Sequence, residues 1–266
     1  MLITSFGSGS NGNAFLVQSG TTSLLIDAGV PIRLLRSGLK QAGVDDGQLT
    51  AALISHEHID HVRSLPQLLR YQTAPVLATG GTIRALRSTV TDWSRITPAE
   101  CFVVGALTVT PIGVSHDAEE PVGFLIQEGD VRAAIFTDLG EANTDVCAAL
   151  SGAALIVLES NYDERMLQAG PYPAHLKRRI RGPLGHLGNH ACAELLVGHV
   201  GKQTSDVWLA HLSEKNNRPD IARTAAELRL TVCAVCPRVT TVPRFGTSIS
   251  WDSDLIQERP RQASLF

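Results

Sequence analysis

Long apolar runs are missing from this chain. No stretch approaches the ~18 consecutive apolar residues that a membrane helix needs. The start, MLITSFGSGS, has neither a basic segment nor a signal-like apolar one. A soluble cytoplasmic protein with no membrane partner is therefore expected. Cysteine is scarce: Cys101, Cys147, Cys192, Cys233 and Cys236 form an odd, scattered set, which excludes a disulfide framework and fits a reducing compartment. An excess of either charge is missing too, since 23 basic side chains against 26 acidic ones leave a formal charge of -3. That balance excludes a uniformly basic coat for nucleic acid and leaves room only for a local patch.

What is present is enough apolar material, 44% of 266 residues, for one sizeable core. Short β-type runs at 2–6, 14–18 and 23–26, separated by the loop GSGSNGN and by Ser19-Gly20, predict a β-meander. Helices are predicted over 31–42, 61–71 and 82–88, the second from Val62, Leu65, Leu68 and Leu69 at helical spacing. An apolar strand over 51–54 delivers the polar cluster SHEHIDH to a sheet edge, where α/β folds place their sites. Further strands are expected at 107–112, 123–127 and 131–136. Helix and strand then alternate: 145–150 helical, 155–158 strand, 189–200 helical, 207–210 strand, 220–228 helical. LTVCAVCP, around Cys233 and Cys236, reads as a buried strand with small apolar cysteines. This order, loosely repeated in two halves, predicts sheet layers covered outside by helices. Residues 1–257 are read as one domain and 258–266 as a flexible C-terminal tail.

His56, His58, Asp60 and His61 stand as HxHxDH at the end of the strand over 51–54. Imidazole nitrogens and carboxylate oxygens suit first-row divalent metals, with zinc, manganese and iron all admitted. In an extended segment, alternation puts His56, His58 and Asp60 on one side, and the following turn can swing His61 to join Asp60 at a second ion. Six residues cannot close two sites. His116, Asp138 and His211 each stand just past the carboxyl end of a predicted strand, as His56 does, and are the candidates for the remaining ligands.

The local basic patch is also present. Between Arg165 and Glu194 there is no acidic residue, while Lys177, Arg178, Arg179 and Arg181 crowd into HLKRRIRGP, the pattern of a track for a phosphate backbone. In the following GHLGN, Gly188 and Asn189 precede an apolar-periodic stretch, so the loop is expected to offer backbone N–H groups to a phosphate, with Asn189 a candidate N-cap. His186 in the same loop is read as a proton donor to a leaving oxygen or as a phosphate contact.

Asp27 in LLIDAG, then SHEHIDH, His116, Asp138 and His211, in that order across most of the chain, resemble the metallo-β-lactamase superfamily. That resemblance implies a four-layer αββα sandwich. It implies one divalent ion on His56, His58 and His116, a second on Asp60, His61 and His211, Asp138 as a bridge, and Asp27 holding the HxHxDH turn by hydrogen bonds. GSGSNGN, HDAEEPVGF, ESNYD, GHLGN and HLSEKNN together look like the WalJ/YycJ-type branch, usually regarded as DNA exonucleases. Relatives with the HDAxxPVGF wording also include small cyclic-phosphodiester hydrolases. The implied activity is a metal-dependent phosphodiesterase, a DNA exonuclease foremost, in which two ions ~4 Å apart share a hydroxide aligned against phosphorus. Asp60 and Asp138 would be its anionic ligands. A small-molecule phosphodiesterase is the alternative, and a non-catalytic metal-binding regulatory module a second one. In the tail, Gln262, Leu265 and Phe266 look like the bacterial sliding-clamp-binding motif, which would favour DNA over RNA by tethering.

Overall fold

The computed structural model describes residues 1–86, 92–245 and 248–257. It begins with three strands in antiparallel pairing, β1 (Leu2–Gly7), β2 (Ala14–Ser19) and β3 (Thr22–Ile26). Their side chains alternate between two apolar environments: Phe15, Val17, Leu24 and Ile26 enter one cluster, Leu16 and Leu25 another on the opposite face. A sheet apolar on both faces must be covered on both. On one face the cover includes α1 (Ile32–Gln41), which buries Leu35 and Leu39.

β4 (Ala51–Leu53) pairs parallel to β3, and α2 (Ile59–Val62), α3 (Leu65–Leu68), β5 (Val76–Thr79), α4 (Gly80–Ala85) and β6 (Trp93–Ile96) extend the parallel half. The one helix expected over 61–71 is two. Pro66 is tolerated in a helix's first turn but not in its interior, so the chain breaks at Arg63-Ser64 and starts again. The end of the helix expected over 82–88 lies outside the described residues.

The second half repeats the scheme. β7 (Phe102–Val104), β8 (Leu107–Gly113), β9 (Val122–Glu128) and β10 (Val131–Phe136) are antiparallel neighbours. After them come α5 (Thr144–Leu150), β11 (Leu155–Glu159), α6 (Glu164–Ala169), α7 (Ala174–Arg181), α8 (Asn189–His199), β12 (Asp206–Ala210), α9 (Pro219–Leu230) and β13 (Arg238–Thr241), with β10 to β13 parallel. β14 (Ile249–Asp252) returns to pair with β1, followed by α10 (Asp254–Gln257). The strand expected around Cys233 is absent. Residues 231–237 form a turn after α9 that leaves Cys236 exposed, and Pro237 has no amide proton to give a ladder there.

Among the described residues the strands form two seven-stranded sheets, ordered β14-β1-β2-β3-β4-β5-β6 and β13-β12-β11-β10-β9-β8-β7. Phe15, Phe124, Val157, Trp208 and Trp251 pack between them. Leu35 and Leu65 cover one outer face, and Val146, Leu196 and Ala226 the other. This is the αββα sandwich expected from the resemblance. Its parallel strands β3 and β4 in one sheet and β10, β11 and β12 in the other discharge their carboxyl ends into loops, where such folds collect functional groups. No helix of the described residues is long and apolar enough to cross a membrane.

Candidate metal centre

Asp27 follows β3, His56 follows β4, Asp138 follows β10, Glu159 ends β11, and His211 follows β12. His116 arrives from the loop after β8. The HxHxDH segment is not extended throughout, as alternation required. His58 is the N-cap of α2, and Asp60 and His61 sit in that helix's first turn, so helical winding rather than strand pleat presents them. A Cβ on Gly29 would fall 1.5 Å from Asp60 O, so only glycine lets the turn after β3 stack directly on this helix.

Four imidazoles are tethered through Nδ1. His61 Nδ1 donates to Asp27 Oδ2 at 2.7 Å, His116 Nδ1 to Gly185 O at 3.0 Å and His211 Nδ1 to Glu159 Oε1 at 2.7 Å, while His56 Nδ1 lies 3.0 Å from Ser55 Oγ. A carboxylate or carbonyl can only accept, so these partners select the tautomer that leaves the Nε2 lone pair free. His58 is reversed, with Nδ1 3.3 Å from His116 Nε2. Ligand-type atoms of His56, His58 and His116 lie within 4.8 Å of one another, as do those of Asp60, His61 and His211. Asp138 stands between the two groups, Oδ2 3.0 Å from His61 Nε2 and Oδ1 3.6 Å from His116 Nε2.

Among the described residues, His56 Nε2, His211 Nε2 and Asp138 Oδ2 are buried and make no well-formed hydrogen bond, although His211 Nε2 lies 3.4 Å from Asp60 Oδ2 and Asp138 Oδ2 3.0 Å from His61 Nε2. Unmet lone pairs on converging imidazoles and carboxylates are what a divalent cation satisfies, so the donor set fits such ions. The same carboxylates and imidazoles shift one another. Burial opposes an ionised Asp138, yet the His211 and His61 imidazoles outweigh it and hold the carboxyl well below its ordinary range. Burial also opposes a charged His61, and the Asp27 and Asp138 carboxylates reverse this, raising it well above the usual histidine value. At His56 burial wins, reinforced by His61, and the ring is held well below that value.

Sequence reading assigned Glu159 no role beyond membership of ESNYD. Its Oε1 accepts from His186 Nδ1 at 2.8 Å as well as from His211, and its Oε2 accepts the Leu139 and Leu187 amides at 2.8 and 3.0 Å. Burial depresses His186, but Glu159 outweighs it and raises the imidazole above its ordinary value. The available signal was an acid ending the otherwise apolar strand LIVLE, where desolvation demands partners. Asn13 of GSGSNGN was missed as well. Its Nδ2 lies 3.0 Å from His61 Nε2 and 3.4 Å from Asp60 Oδ2.

The N-cap expected at Asn189 is corrected by the structure. Gly188, not Asn189, is the N-cap of α8, and the Asn189 side chain is buried on Ser160 Oγ at 2.7 Å and Asn217 at 2.8 Å. The Asn189 amide goes to Tyr162 O at 2.8 Å and the His190 amide to Glu164 Oε1 at 3.2 Å, so the chain's own carboxylate already meets this helix N-terminus. The basic run forms α7. Lys177 and Arg181 donate to Gln168 at 2.7 and 2.8 Å, Arg178 is exposed, and Arg179 pairs with Asp117 at 2.6 Å. A cleft of about 190 Å³ is lined by Ser10, Asp117, Tyr172, Arg179 and His186, among others. A larger hollow of about 540 Å³, around Met1, Gln18, Glu128 and Asp252, shares none of the clustered histidines.

Residues 22–204 match the family model of the β-lactamase superfamily domain. The chain is 34% identical over 221 residues to exodeoxyribonuclease YycJ of Bacillus anthracis, covering 81% of this chain and 84% of that one. It is 31% identical over 222 residues to exodeoxyribonuclease WalJ of Streptococcus pneumoniae, covering 81% and 82%. The metallo-β-lactamase fold protein YhfI from Bacillus subtilis, 19% identical, shares the fold with a TM-score of 0.72 over 94% of this chain and 98% of that one. Family match, relatives and fold agree, and the chain belongs to the β-lactamase superfamily of hydrolases.

Proposed function

We propose that this protein is a metal-dependent phosphodiesterase that works as a DNA exonuclease. The observation that carries the reading is the convergence of His56 Nε2, His211 Nε2 and Asp138 Oδ2, none of them in a well-formed hydrogen bond, inside one cluster, with His116 and Asp138 of that cluster in reach of the cleft residues Asp117 and His186. The exodeoxyribonuclease names of the two relatives support a DNA substrate.

His56, His58 and His116 would hold one ion and Asp60, His61 and His211 a second, with Asp138 bridging. When bound, two such ions supply Lewis acidity and an activated water for attack on phosphorus. Zinc, manganese and iron all suit these donors. The protein supplies orientation and proton transfer. Asp27 and Glu159 fix the rings of His61 and His211. His186, held through Nδ1 by Glu159, keeps Nε2 for a proton to the leaving oxygen. Arg179 meets the scissile phosphate's neighbourhood from the cleft wall, and Lys177, Arg178 and Arg181 extend positive charge along α7 for the strand.

Gln262, Leu265 and Phe266 lie outside the described residues; we assign them to sliding-clamp binding, tested by titrating a fluorescent ERPRQASLF peptide, with both apolar residues changed to Ala as control. The central test is hydrolysis of end-labelled linear DNA and RNA, closed-circular DNA, a cyclic nucleotide and bis-p-nitrophenyl phosphate with added zinc or manganese. Loss of linear DNA with the circle intact is expected. Turnover of the cyclic nucleotide with DNA untouched would replace the reading by a small-molecule phosphodiesterase, and metal binding without hydrolysis by a regulatory module.

A further inference from the structure

We infer that Ser55 is a positioning residue that sets the tautomer of His56, and through it acts on the His56, His58 and His116 half of the centre more than on the other half. The inference rests on the metal-site reading above. Ser55 is buried, and its Oγ donates to Asp27 Oδ2 at 2.9 Å, which spends its only proton. Two imidazole nitrogens then face its lone pairs, His56 Nδ1 at 3.0 Å and His61 Nδ1 at 3.1 Å.

These two nitrogens are not in equal positions. His61 Nδ1 has the shorter, charge-assisted bond to Asp27 Oδ2 at 2.7 Å and does not need the hydroxyl. For His56 Nδ1, Ser55 Oγ is the hydrogen-bond partner the structure provides. A proton on Nδ1 donated to Ser55 leaves Nε2 as a lone pair, and Nε2 is one of the buried atoms without a partner. Remove the hydroxyl, and a buried N–H loses its acceptor; the ring then gains by moving the proton to Nε2, on the side of the Asp138 carboxylate, whose ligand-type atom lies within 4.8 Å of that of His56, and there it covers the ligating lone pair. His116 and His211 keep Gly185 O and Glu159, and His61 keeps Asp27 Oδ2, which loses one donor, the Ser55 hydroxyl, but retains the shorter bond from His61. The backbone is untouched, because the Ser55 amide donates independently to Asp27 Oδ1 at 2.8 Å.

The experiment compares wild type, Ser55→Ala and Ser55→Thr as full chains. Zinc alone is titrated into metal-free protein by calorimetry, the histidine tautomers are read from long-range nitrogen–proton spectra of the same samples, and circular dichroism reports folding. In wild type, His56 carries its proton on Nδ1 and zinc fills two sites. Ser55→Ala is expected to move that proton to Nε2 and weaken one zinc site by about 10–100-fold, with a clearly smaller effect on the second. Ser55→Thr, which keeps a hydroxyl, restores both readouts. An unchanged His56 tautomer in Ser55→Ala, equal weakening of both sites, or a folded Ser55→Thr no better than Ala would overturn the inference. Wild type binding no zinc would instead remove the metal reading, while the tautomer spectra still decide the role of Ser55.

Discussion

His186 Nδ1 lies 2.8 Å from Glu159 Oε1, on a carboxylate with no exposed surface. The same oxygen serves His211, and the other accepts two backbone amides, so all four neighbours of this carboxylate are donors. Glutamine has one oxygen and would turn an NH2 group on the rest. Glu159→Gln is therefore expected to lose about 2–6 kcal/mol of stability, two unmet donors at about 1–3 kcal/mol each, and to weaken the metal centre through His211. Urea denaturation and metal content check both. Stability within about 0.5 kcal/mol of wild type would contradict the geometry.

Asp138→Asn removes the charge between the two histidine groups while keeping the volume. Loss of the anionic ligand proposed for both cations is expected to cut turnover at least about 100-fold, with the circular dichroism spectrum unchanged and metal content reduced. Hydrolysis near the wild-type rate with two metals retained would show that Asp138 is not the bridge.

Local clustering and dispersed partners also explain what could be read from the chain itself. His56, His58, Asp60 and His61 lie within six residues, and their chemistry is improbable as ordinary surface, so the cluster was legible. So were the short β-type runs that form β1 to β3. Glu159 was not, because one acid carries no spacing, and its meaning comes from donors supplied 20 to 52 residues away. Asn189 misled for a related reason. Residue type and position argued for a cap, but a buried partner, Asn217, claimed its side chain. Short edge strands such as β6 and β7 were invisible because their residues are largely exposed and lack a continuous apolar pattern.

Phe15 is wholly buried between the sheets, whereas Val103 on the short strand β7 is 70% exposed. Phe15→Ala is expected to cost about 3–5 kcal/mol in chemical denaturation. Val103→Ala should stay within about 0.5 kcal/mol. Similar values for the two would deny that the inter-sheet layer is the main core.

Cys192 is buried in α8, and burial pushes its thiol up to about 12. The thiolate fraction at pH 8 is then on the order of one in 10⁴, and reagent access is closed as well. Iodoacetamide at pH 8 is expected to label the exposed Cys101 and Cys236 and to spare Cys192 until urea is added, as mass spectrometry of the peptides will show. Rapid labelling of Cys192 in the folded protein would mean that α8 opens readily.

The four cations of α7 divide into two roles, and salt dependence separates them. Lys177, Arg178 and Arg181, unlike Arg179, do not line the cleft, and in the proposed reading they meet a strand that runs past it. Each cation that pairs with a DNA phosphate should add about 0.7 to 0.9 to the log–log salt slope of binding. The triple Ala variant is therefore expected to bind DNA more weakly, with a slope shallower by up to about 2–3, and to hydrolyse bis-p-nitrophenyl phosphate within about twofold of wild type. Arg179 differs. Its partner Asp117 has an oxygen 3.5 Å from His116 Nε2, and burial there disfavours the carboxylate while Arg179 overrides it, holding the acid below its usual range. Arg179→Ala leaves that negative charge unanswered beside the site where the proposed anionic ester would approach. Both substrates should then suffer, the small diester included. Equal losses on both substrates for the triple variant, with melting unchanged, would put the whole helix at the reaction centre and remove the proposed strand track.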